Sequence, residues 1–309
     1  MAALTLADAK KYIPDNITRG VVDDIYNLNP IFSLFPFIGY EGQGLIVNRE
    51  TSRADADFYS VNATITNRDP STVTQVPFTS TKIIGDVDLD KMITAQSASM
   101  GIDQAAIEIS SKAKEIGRLF QNGMINGTGT LPQMNSFVSQ IDSTQSIGTS
   151  SQALSFTLLD SLLALVKSKD GMVDFILMAQ RTFNSYKVLL RALGGSTADW
   201  VVNLPDGRTT IGYEGIPIFV SPFQVITETA AAAAQTGGNL TSVWAGCFDD
   251  GSQKIGISGI HPISVPAGIS VEVPGTMETK DSITYRIKQY ANLAVFNRRG
   301  LARLTSINN

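Results

Sequence analysis

Apolar side chains recur at steps of three and four residues from Ile102 to Gly129, a spacing that places them on one face of a helix. The positions of this apolar stripe are Ile102, Ala106, Ile109, Ala113, Ile116 and Phe120. The helix is expected to end across Asn122-Gly123 and Asn126–Gly129, because Asn and Gly accept the left-handed conformation that closes a helix C-terminus. The pattern predicts a long amphipathic helix that lies across a sheet or along a partner.

The pattern changes to that of strands between residues 43 and 85. Thr, Val, Ile, Phe and Tyr alternate with polar residues in short runs, and turn-forming residues at Arg53–Asp55 and Asn67–Ser71 separate these runs. The segment is therefore predicted to form a long two-stranded ribbon. A two-stranded ribbon is marginally stable in water unless it lies on another surface. Its length accordingly indicates a partner.

An Asp-x-Asp-x-Asp pattern over residues 86–90 precedes the long helix. A calcium-binding loop would require glycine at its sixth position and a carboxylate at its twelfth, where this chain has Lys91 and Ser97. The alternation of aspartates with apolar residues instead predicts a half-exposed strand.

The middle of the chain combines helices with a buried strand. Helical patterns cover Phe156–Lys167, where Thr157 and Asp160 are spaced as a capping box, and Gln180–Leu193. The apolar run Val173–Met178 between them predicts a buried strand. A strand between two helices indicates an α/β layer.

The patterns that follow predict mostly strands. Gly212–Phe223 has the pattern turn, strand, turn, whereas Val225–Gly238 contains an alanine run and predicts a surface loop or a short helix. Val243–Ile257 is typical of a hairpin that turns at Asp249–Gly251. Three further strand patterns follow, the last two separated by Arg298–Gly300, and the C-terminal segment is expected to close a sheet.

The first 38 residues mix short amphipathic pieces with helix breakers. Between and beside Pro30 and Pro36 lies a set of apolar side chains: Ile31, Phe32, Leu34, Phe35 and Phe37. A segment so short and so often interrupted cannot bury this surface alone. It is predicted to be an arm that docks either on its own domain or on a neighbouring subunit.

The composition and charge of the chain exclude several classes of function. With 309 residues and 43% hydrophobic composition, the chain can form one elaborate domain or two simple ones. Its net charge is -4, and no block of Lys and Arg marks a nucleic-acid footprint. A lone Cys247 fits a reducing compartment. The N-terminus lacks the apolar core of a signal peptide and no apolar run is long enough to span a bilayer, so the protein is expected in cytosol.

Candidate catalytic and ligand-binding residues are sparse. His261, the single histidine, has no patterned partner for a metal site or a catalytic triad. The glycines of NGTGTL follow a helix instead of opening one and lack the Gly-Lys-Ser/Thr of a phosphate-binding loop. The chain is therefore predicted not to be an enzyme and to have no catalytic residue, cofactor or metal. Its arm and ribbon carry surface that a monomer cannot bury, which predicts repeated self-association.

The order of these parts resembles the major capsid proteins of tailed bacteriophages with the HK97-type shell fold, over almost the whole chain. The local cues are IFSLFPF followed by VNRE, DVDLDKM before the long helix, and GYEGIPIFVSPF. The resemblance implies an α+β, HK97-like capsid fold with an N-terminal arm, an extended β-ribbon loop, a peripheral domain with a long spine helix and an α/β axial domain. The implied divisions are the arm 1–42, the extended loop 43–85, the peripheral domain 86–155, the axial domain 156–277, and C-terminal strands 278–309 that return to the peripheral domain.

The resemblance also implies a mechanical function. Subunits would form hexamers and pentamers of an icosahedral phage head enclosing packaged double-stranded DNA, with the extended loop of one subunit lying across its neighbour. An acidic chain suits an interior that does not bind DNA tightly, and no sequence-specific binding is expected. The expected location is the virion capsid, assembled in the host cytoplasm. The residues expected at contacts between subunits are Ile31, Phe32, Phe35, Phe37, Arg49, Arg53 and Arg68.

Two departures from the family pattern change the expected partners. Some members cross-link their shell through a lysine near the tip of the extended loop, whereas residues 43–85 contain only Lys82, close to the return of the loop. No covalent cross-linking is therefore predicted. Some members begin with a long scaffolding extension, whereas here Met1 almost directly precedes the arm, which predicts a separate scaffolding protein. A portal and, optionally, a decoration protein complete the expected partners, and no membrane is involved.

Two other functions stay open at this point. An encapsulin-like compartment shares the shell fold but encloses cargo enzymes, and the sequence barely separates it from a phage head. An α/β enzyme or binding module would require a pocket with converging polar groups, and the sequence offers no such constellation.

Overall fold

The computed structural model describes residues 31, 34–92, 94–95, 104–169, 171–194, 200–204, 207, 209–223, 240–265, 269–276 and 279–308. The arm before residue 31, Phe32, the predicted helix start at Ile102 and the alanine-rich Val225–Gly238 segment lie outside the described residues.

In chain order, the described strands are β1 (Phe37–Tyr40), β2 (Leu45–Ser52), β3 (Thr72–Phe78), β4 (Thr81–Asp90), β5 (Ser146–Gly148), β6 (Phe175–Met178), β7 (Val201–Asn203), β8 (Thr209–Tyr213), β9 (Ile216–Val220), β10 (Leu240–Gly246), β11 (Ile257–Pro262), β12 (Ile269–Thr276), β13 (Ser282–Val295) and β14 (Leu301–Asn308). The described α-helices are α1 (Gln104–Asn126), α2 (Phe137–Gln140), α3 (Phe156–Lys167) and α4 (Gln180–Ala192).

One sheet has the strand order β1-β11-β13-β12. Strand β4 also pairs with β13, on the edge opposite β12. The apolar stripe of α1 packs on this sheet, where Ile109, Ala113 and Ile116 contact Ile269 and Ile287. The predicted long amphipathic helix is thereby confirmed. It exposes its charged face because a helix with one apolar stripe buries only that stripe.

Helix α1 passes through Asn122-Gly123, the first part of its predicted end, and ends at Asn126, where the second part begins. Gly123 is inside the helix because it gives room to Met134, whose Sδ would lie 2.6 Å from a Cβ at this position. The glycine therefore serves packing, and the helix ends at the following Asn126-Gly127 pair. The half-exposed strand predicted over residues 86–90 is confirmed as part of β4, which alternates exposed aspartates with more buried residues.

The second sheet has the strand order β5-β14-β10-β6-β9-β8-β7. Apolar residues of α3 and α4 pack against it. The helix predicted over Phe156–Lys167 is confirmed, and the one predicted over Gln180–Leu193 ends one residue earlier, at Ala192. The predicted cap of α3 is wrong, because the Ser155 side chain accepts the hydrogen bond from the Leu158 N–H.

A third apolar cluster fills the space between the two sheets. It joins Phe120 of α1 and Leu293 of β13 to Phe175 of β6 and Trp244 of β10. All four side chains are buried. The two sheets therefore share this central cluster, in addition to the separate cluster that each sheet forms with its own helices.

The predicted hairpin over Val243–Ile257 is wrong. Strand β10 is buried throughout and is paired on both sides, with β14 and with β6, so it has no free edge for β11. The chain turns at Asp249, whose carboxylate accepts hydrogen bonds from the N–H groups of Gly251 and Gln253. It then enters the first sheet as β11.

The last two strands lie in different sheets. Strand β13 pairs with β4, β11 and β12, whereas β14 pairs with β10 and β5. Residues 296–300 connect them and include a short 3-10 helix, Arg298–Gly300. The C-terminal strands thus complete both sheets. The domain boundaries implied by the resemblance stay a prediction.

Candidate inter-subunit surfaces

The two-stranded ribbon predicted over residues 43–85 consists of β2 and β3, which pair antiparallel from Leu45–Phe78 to Ser52–Thr72. Its base is fixed to the body. Arg49 donates from Nε to the Phe296 carbonyl at 3.1 Å and from Nη2 to the Val295 carbonyl at 2.7 Å. These bonds hold the middle of β2 against the end of β13.

Aromatic contacts strengthen the same base. The rings of Phe78 and Phe296 meet edge to face with centroids 6.2 Å apart, a favourable geometry for two aromatic side chains. The Tyr40 hydroxyl donates to Ser80 Oγ at 2.8 Å. The end of β3 is therefore anchored to the body, as is the middle of β2.

The outer end of the ribbon is a loop whose shape is held by hydrogen bonds between its own residues. The Asp55 N–H donates to the Asp69 carbonyl at 3.3 Å. The Tyr59 hydroxyl accepts from the N–H groups of Thr66 (3.2 Å) and Asn67 (2.9 Å), and these bonds lower the pKa of Tyr59. A loop with such internal bonds loses less conformational entropy when it binds.

This loop exposes large apolar side chains. Phe58 is 102% exposed, Val61 is 93% exposed and Ile65 is 57% exposed. Single exposed apolar residues are ordinary, but several on one loop indicate a binding surface. Arg68 lies on the same loop and is also exposed.

The described residues of the arm pack on the chain's own body. Ile31 and Phe35 are buried in the shared core at 1% and 5% exposure. Phe37 is partly buried, and its ring centroid lies 5.6 Å from that of Phe35. Their predicted contact with a neighbouring subunit stays a prediction, and most of the surface of Ile31 and Phe35 is used within the chain.

A cleft of about 290 Å³ lies between β2 and the body. We call it the basic cleft, because its lining includes Arg49, Arg53, Lys254 and Arg299. Burial and the nearby charge of Arg298 lower the pKa of Arg49. Positive charges are therefore crowded at this place.

Two of the predicted contact residues, Arg49 and Arg53, thus lie in one cleft, whereas Arg68 lies on the loop. Sequence patterns did not indicate Lys254 or Arg299 as partners of these arginines. Lys254 is a single cation beside a turn and Arg299 follows Arg298 in another turn, and each is about 200 residues or more away along the chain. Only the packing of β2 over both turns brings them together.

The described residues contain no group of three or more His, Cys, Asp or Glu that could hold a metal ion. The His261 ring places Nδ1 3.0 Å from the carbonyl oxygen of Pro262. Cys247 is buried, and burial together with the charge of Asp174 raises the pKa of its thiol to about 11. No helix within the described ranges is long and apolar enough to cross a membrane.

The fold is similar to solved structures of shell proteins. The SrpI encapsulin from Synechococcus elongatus PCC 7942 matches with a TM-score of 0.71 and 17% identity over 91% of this chain and 89% of that chain. The cyanophage A-1(L) capsid matches with a TM-score of 0.65 and 11% identity over 91% and 93%. The capsid of a native GTA particle matches with a TM-score of 0.63 and 10% identity over 92% and 90%.

No family model matches the sequence, and no curated protein matches it. At the identities found, the likeness establishes the fold. The matches cover about nine-tenths of this chain and of each similar chain. The chain therefore has the α+β, HK97-like fold that its sequence resembles, the fold of phage capsid and encapsulin shells.

Proposed function

We propose that the chain is a shell subunit that self-assembles into the hexamers and pentamers of an icosahedral phage head enclosing packaged double-stranded DNA. The observation that carries this proposal is the likeness to capsid proteins over nearly the full length of both chains. A shell role requires no catalytic residue. Its chemistry is the burial of complementary surfaces between identical subunits.

The geometry of the ribbon supports self-assembly. Its base is anchored by Arg49 and Phe78, whereas its outer loop exposes Phe58 and Val61. A neighbour that covered this loop would bury apolar surface at about 25 cal/mol per Å². Because the loop is internally bonded, little of that free energy would be lost in ordering it.

Further parts of the proposal follow the resemblance. The segments 86–155 and 156–277 would be the peripheral and axial domains, and the arm would contact a neighbouring subunit through Phe32 and Phe37. A separate scaffolding protein, a portal and, optionally, a decoration protein would be partners in assembly. Assembly would occur in the host cytoplasm, and the finished protein would reside in the virion.

An encapsulin-like compartment that encloses cargo enzymes is the second candidate. A specific observation favours it: the TM-score and identity to the SrpI encapsulin, 0.71 and 17%, exceed the 0.65 and 11% to the cyanophage capsid. Both candidates assign the same shell role and differ in the contents of the shell.

Negative-stain electron microscopy of the purified chain, expressed alone and with its genomic neighbours, tests the proposal. Icosahedral particles or capsomer rings are expected. Nuclease-protected double-stranded DNA together with a portal would support the phage head, whereas a copurified enzyme inside small particles would support the compartment. A homogeneous monomer under every condition would contradict both.

A further inference from the structure

The basic cleft carries positive charge that the described part of the chain does not pair. Its lining contains four cationic side chains and one carboxylate, that of Glu50. The ion pairs found among the described residues join other groups, such as Lys167 with Glu214 and Lys288 with Glu272. Since like charges repel at short range, the cleft is expected to attract an anionic group.

Two nearby carboxylates do not fill this role. Asp142 and Asp250 are close enough to Arg298 and Lys254 for these cations to lower their pKa values, although hydrogen bonds contribute more. Each carboxylate accepts hydrogen bonds from its own turn, Asp142 from Thr144 and Asp250 from the Ser252 N–H. They stabilise their turns and leave the cleft open.

The outer loop of the ribbon has the opposite charge. Its carboxylates are those of Asp55, Asp57 and Asp69, and Arg68 is its one cation between residues 54 and 70. All three aspartates are exposed, and among the described residues the Asp57 carboxylate accepts only from the N–H of the next residue. The Asp55 N–H bond to the Asp69 carbonyl keeps the first and last of these residues side by side.

We propose that the acidic outer loop of one copy of the chain occupies the basic cleft of a second copy. This inference rests on the proposed self-assembly and assigns it a specific pair of surfaces. The aspartates of the loop meet Arg53, Lys254 and Arg299 of the next copy. Guanidinium groups can bind carboxylates with two parallel hydrogen bonds, and this geometry fixes the relative orientation of the two groups in addition to attracting them.

The loop of the same chain is not ion-paired with its own cleft, although Arg53 of the cleft is only two residues before Asp55. Asp55 and Asp69 close the ribbon beyond its paired strands, whereas the cleft lies between β2 and the body. None of the three aspartates forms an ion pair with a cleft residue within the described ranges. A second copy can present the loop from outside without bending its own ribbon back.

A nucleic acid fits the cleft less well. Double-stranded DNA presents one phosphate per about 1.7 Å along a continuous track, and proteins that bind it use an extended basic surface. The cleft is bounded, with a volume of about 290 Å³, and contains Glu50 in its wall. A few carboxylates on a small loop match these dimensions better.

Two charge-reversed variants test the proposal. Lys254→Glu/Arg299→Glu makes the cleft acidic, and Asp55→Lys/Asp69→Lys makes the loop basic. Each variant alone places like charges together at every contact, so the yield of particles by light scattering and electron microscopy should fall at least about tenfold. Mixing the two restores six-membered rings, because each reversed loop then finds a reversed cleft on the other variant and a ring of six accommodates this alternation. A ring of five cannot alternate, so six-membered rings in electron micrographs are the readout for the mixture.

A matched control for the Lys254→Glu/Arg299→Glu variant is Arg191→Glu/Lys280→Glu, which makes the same change in net charge on exposed residues elsewhere. It should assemble like the wild-type chain. Circular dichroism and thermal unfolding of each unassembled variant check that the reversed chains are folded.

Four outcomes overturn the inference. Reversed variants that assemble at wild-type yield would leave the proposed function standing and remove this contact. Single variants that fail and are not restored by mixing would show that the pairing is not between copies. If the Lys254→Glu/Arg299→Glu variant forms normal particles that lack nucleic acid, the cleft binds the phosphate groups of nucleic acid instead of the loop. A wild-type chain that stays monomeric would contradict the proposed function and this inference together.

Discussion

Phe37 lies against Gly259 where β1 pairs with β11, and the absence of a side chain at residue 259 leaves the space that the aromatic ring occupies. A Cβ at this position would meet the ring carbons of Phe37 too closely. The residue that begins the first strand is thus accommodated by a glycine more than 200 positions later.

Gly259→Ala should lower the free energy of unfolding by about 1–3 kcal/mol, because an extra methyl group overpacks a filled site. Adding Phe37→Leu should recover part of this loss, since contacting residues are energetically coupled. Urea unfolding of the two variants and of Phe37→Leu alone measures the coupling. A Gly259→Ala variant more stable than wild type would mean that Phe37 does not lie there.

Tyr186 and Tyr213 make the free energy of unfolding depend on pH in the alkaline range. Burial raises the pKa of both hydroxyls, and the carboxylate of Asp160, which accepts from the Tyr213 hydroxyl, raises that of Tyr213 further. The folded chain therefore keeps protons that the unfolded chain releases near pH 10. Their contribution is complete below about pH 10 and is lost as the pH rises toward the folded-state pKa values.

Tyr213→Phe should make stability less sensitive to alkali. Thermal unfolding between pH 9 and pH 11.5 should show a shallower decline for the variant, because one tyrosine accounts for at most about 1.4 kcal/mol per pH unit. At neutral pH the variant should lose about 1 kcal/mol with its hydrogen bond to Asp160. Parallel declines in both proteins would exclude Tyr213 as a source of alkaline instability.

Helix α1 is held on the sheet by its apolar face. Ile116 is 3% exposed and packs toward β13, whereas Leu119, three residues later, is 52% exposed. The two residues have similar apolar volume and differ in what they contact. They form a matched pair for measuring how strongly the helix is held on the sheet.

Ile116→Ala should destabilise the dissociated subunit by about 2–5 kcal/mol, since it leaves a cavity under the helix. Leu119→Ala should cost less than about 1 kcal/mol, because its side chain is largely in water already. The midpoints of urea unfolding compare the two. Equal losses would mean that α1 lies on the sheet by a different face.

Elements were predicted well where local patterns decide them. Helix α3 and strand β6 follow directly from apolar spacing, and the ribbon follows from alternation with turn residues at its outer end. Prediction failed where partners are distant in sequence. Ser155, and not Thr157, caps α3. Strand β10 pairs with β14 instead of forming a hairpin. The basic cleft brings Arg49 and Arg299 together. No local pattern encodes which strands will be neighbours.

At the scale of the assembled particle, the position of Lys82 bears on cross-linking. Lys82 is on β4, paired with Tyr290, and lies beside the end of α1, away from the exposed loop of the ribbon. The loop itself, residues 54–70, contains no lysine. A neighbour that covers the loop therefore meets no amine there.

Mature particles should dissolve into single chains in hot detergent. A denaturing gel should show one band near 33.1 kDa, because non-covalent contacts between subunits do not survive this treatment. Boiling with and without reductant controls for disulfides through Cys247. A ladder of multimers that resists both would mean that the shell is covalently linked.

Strands β13 and β14 bear on when a subunit of the proposed shell would become able to assemble. Strand β13 is paired on both sides in the first sheet, and β14 lies between β5 and β10 in the second. During synthesis, residues 37–262 emerge from the ribosome before either sheet can be completed, and such long-range pairings form slowly. A nascent chain thus has its ribbon exposed but no finished body for a neighbour to recognise. Translation itself would delay assembly until residues 282–308 are available, which keeps half-made chains out of the growing lattice.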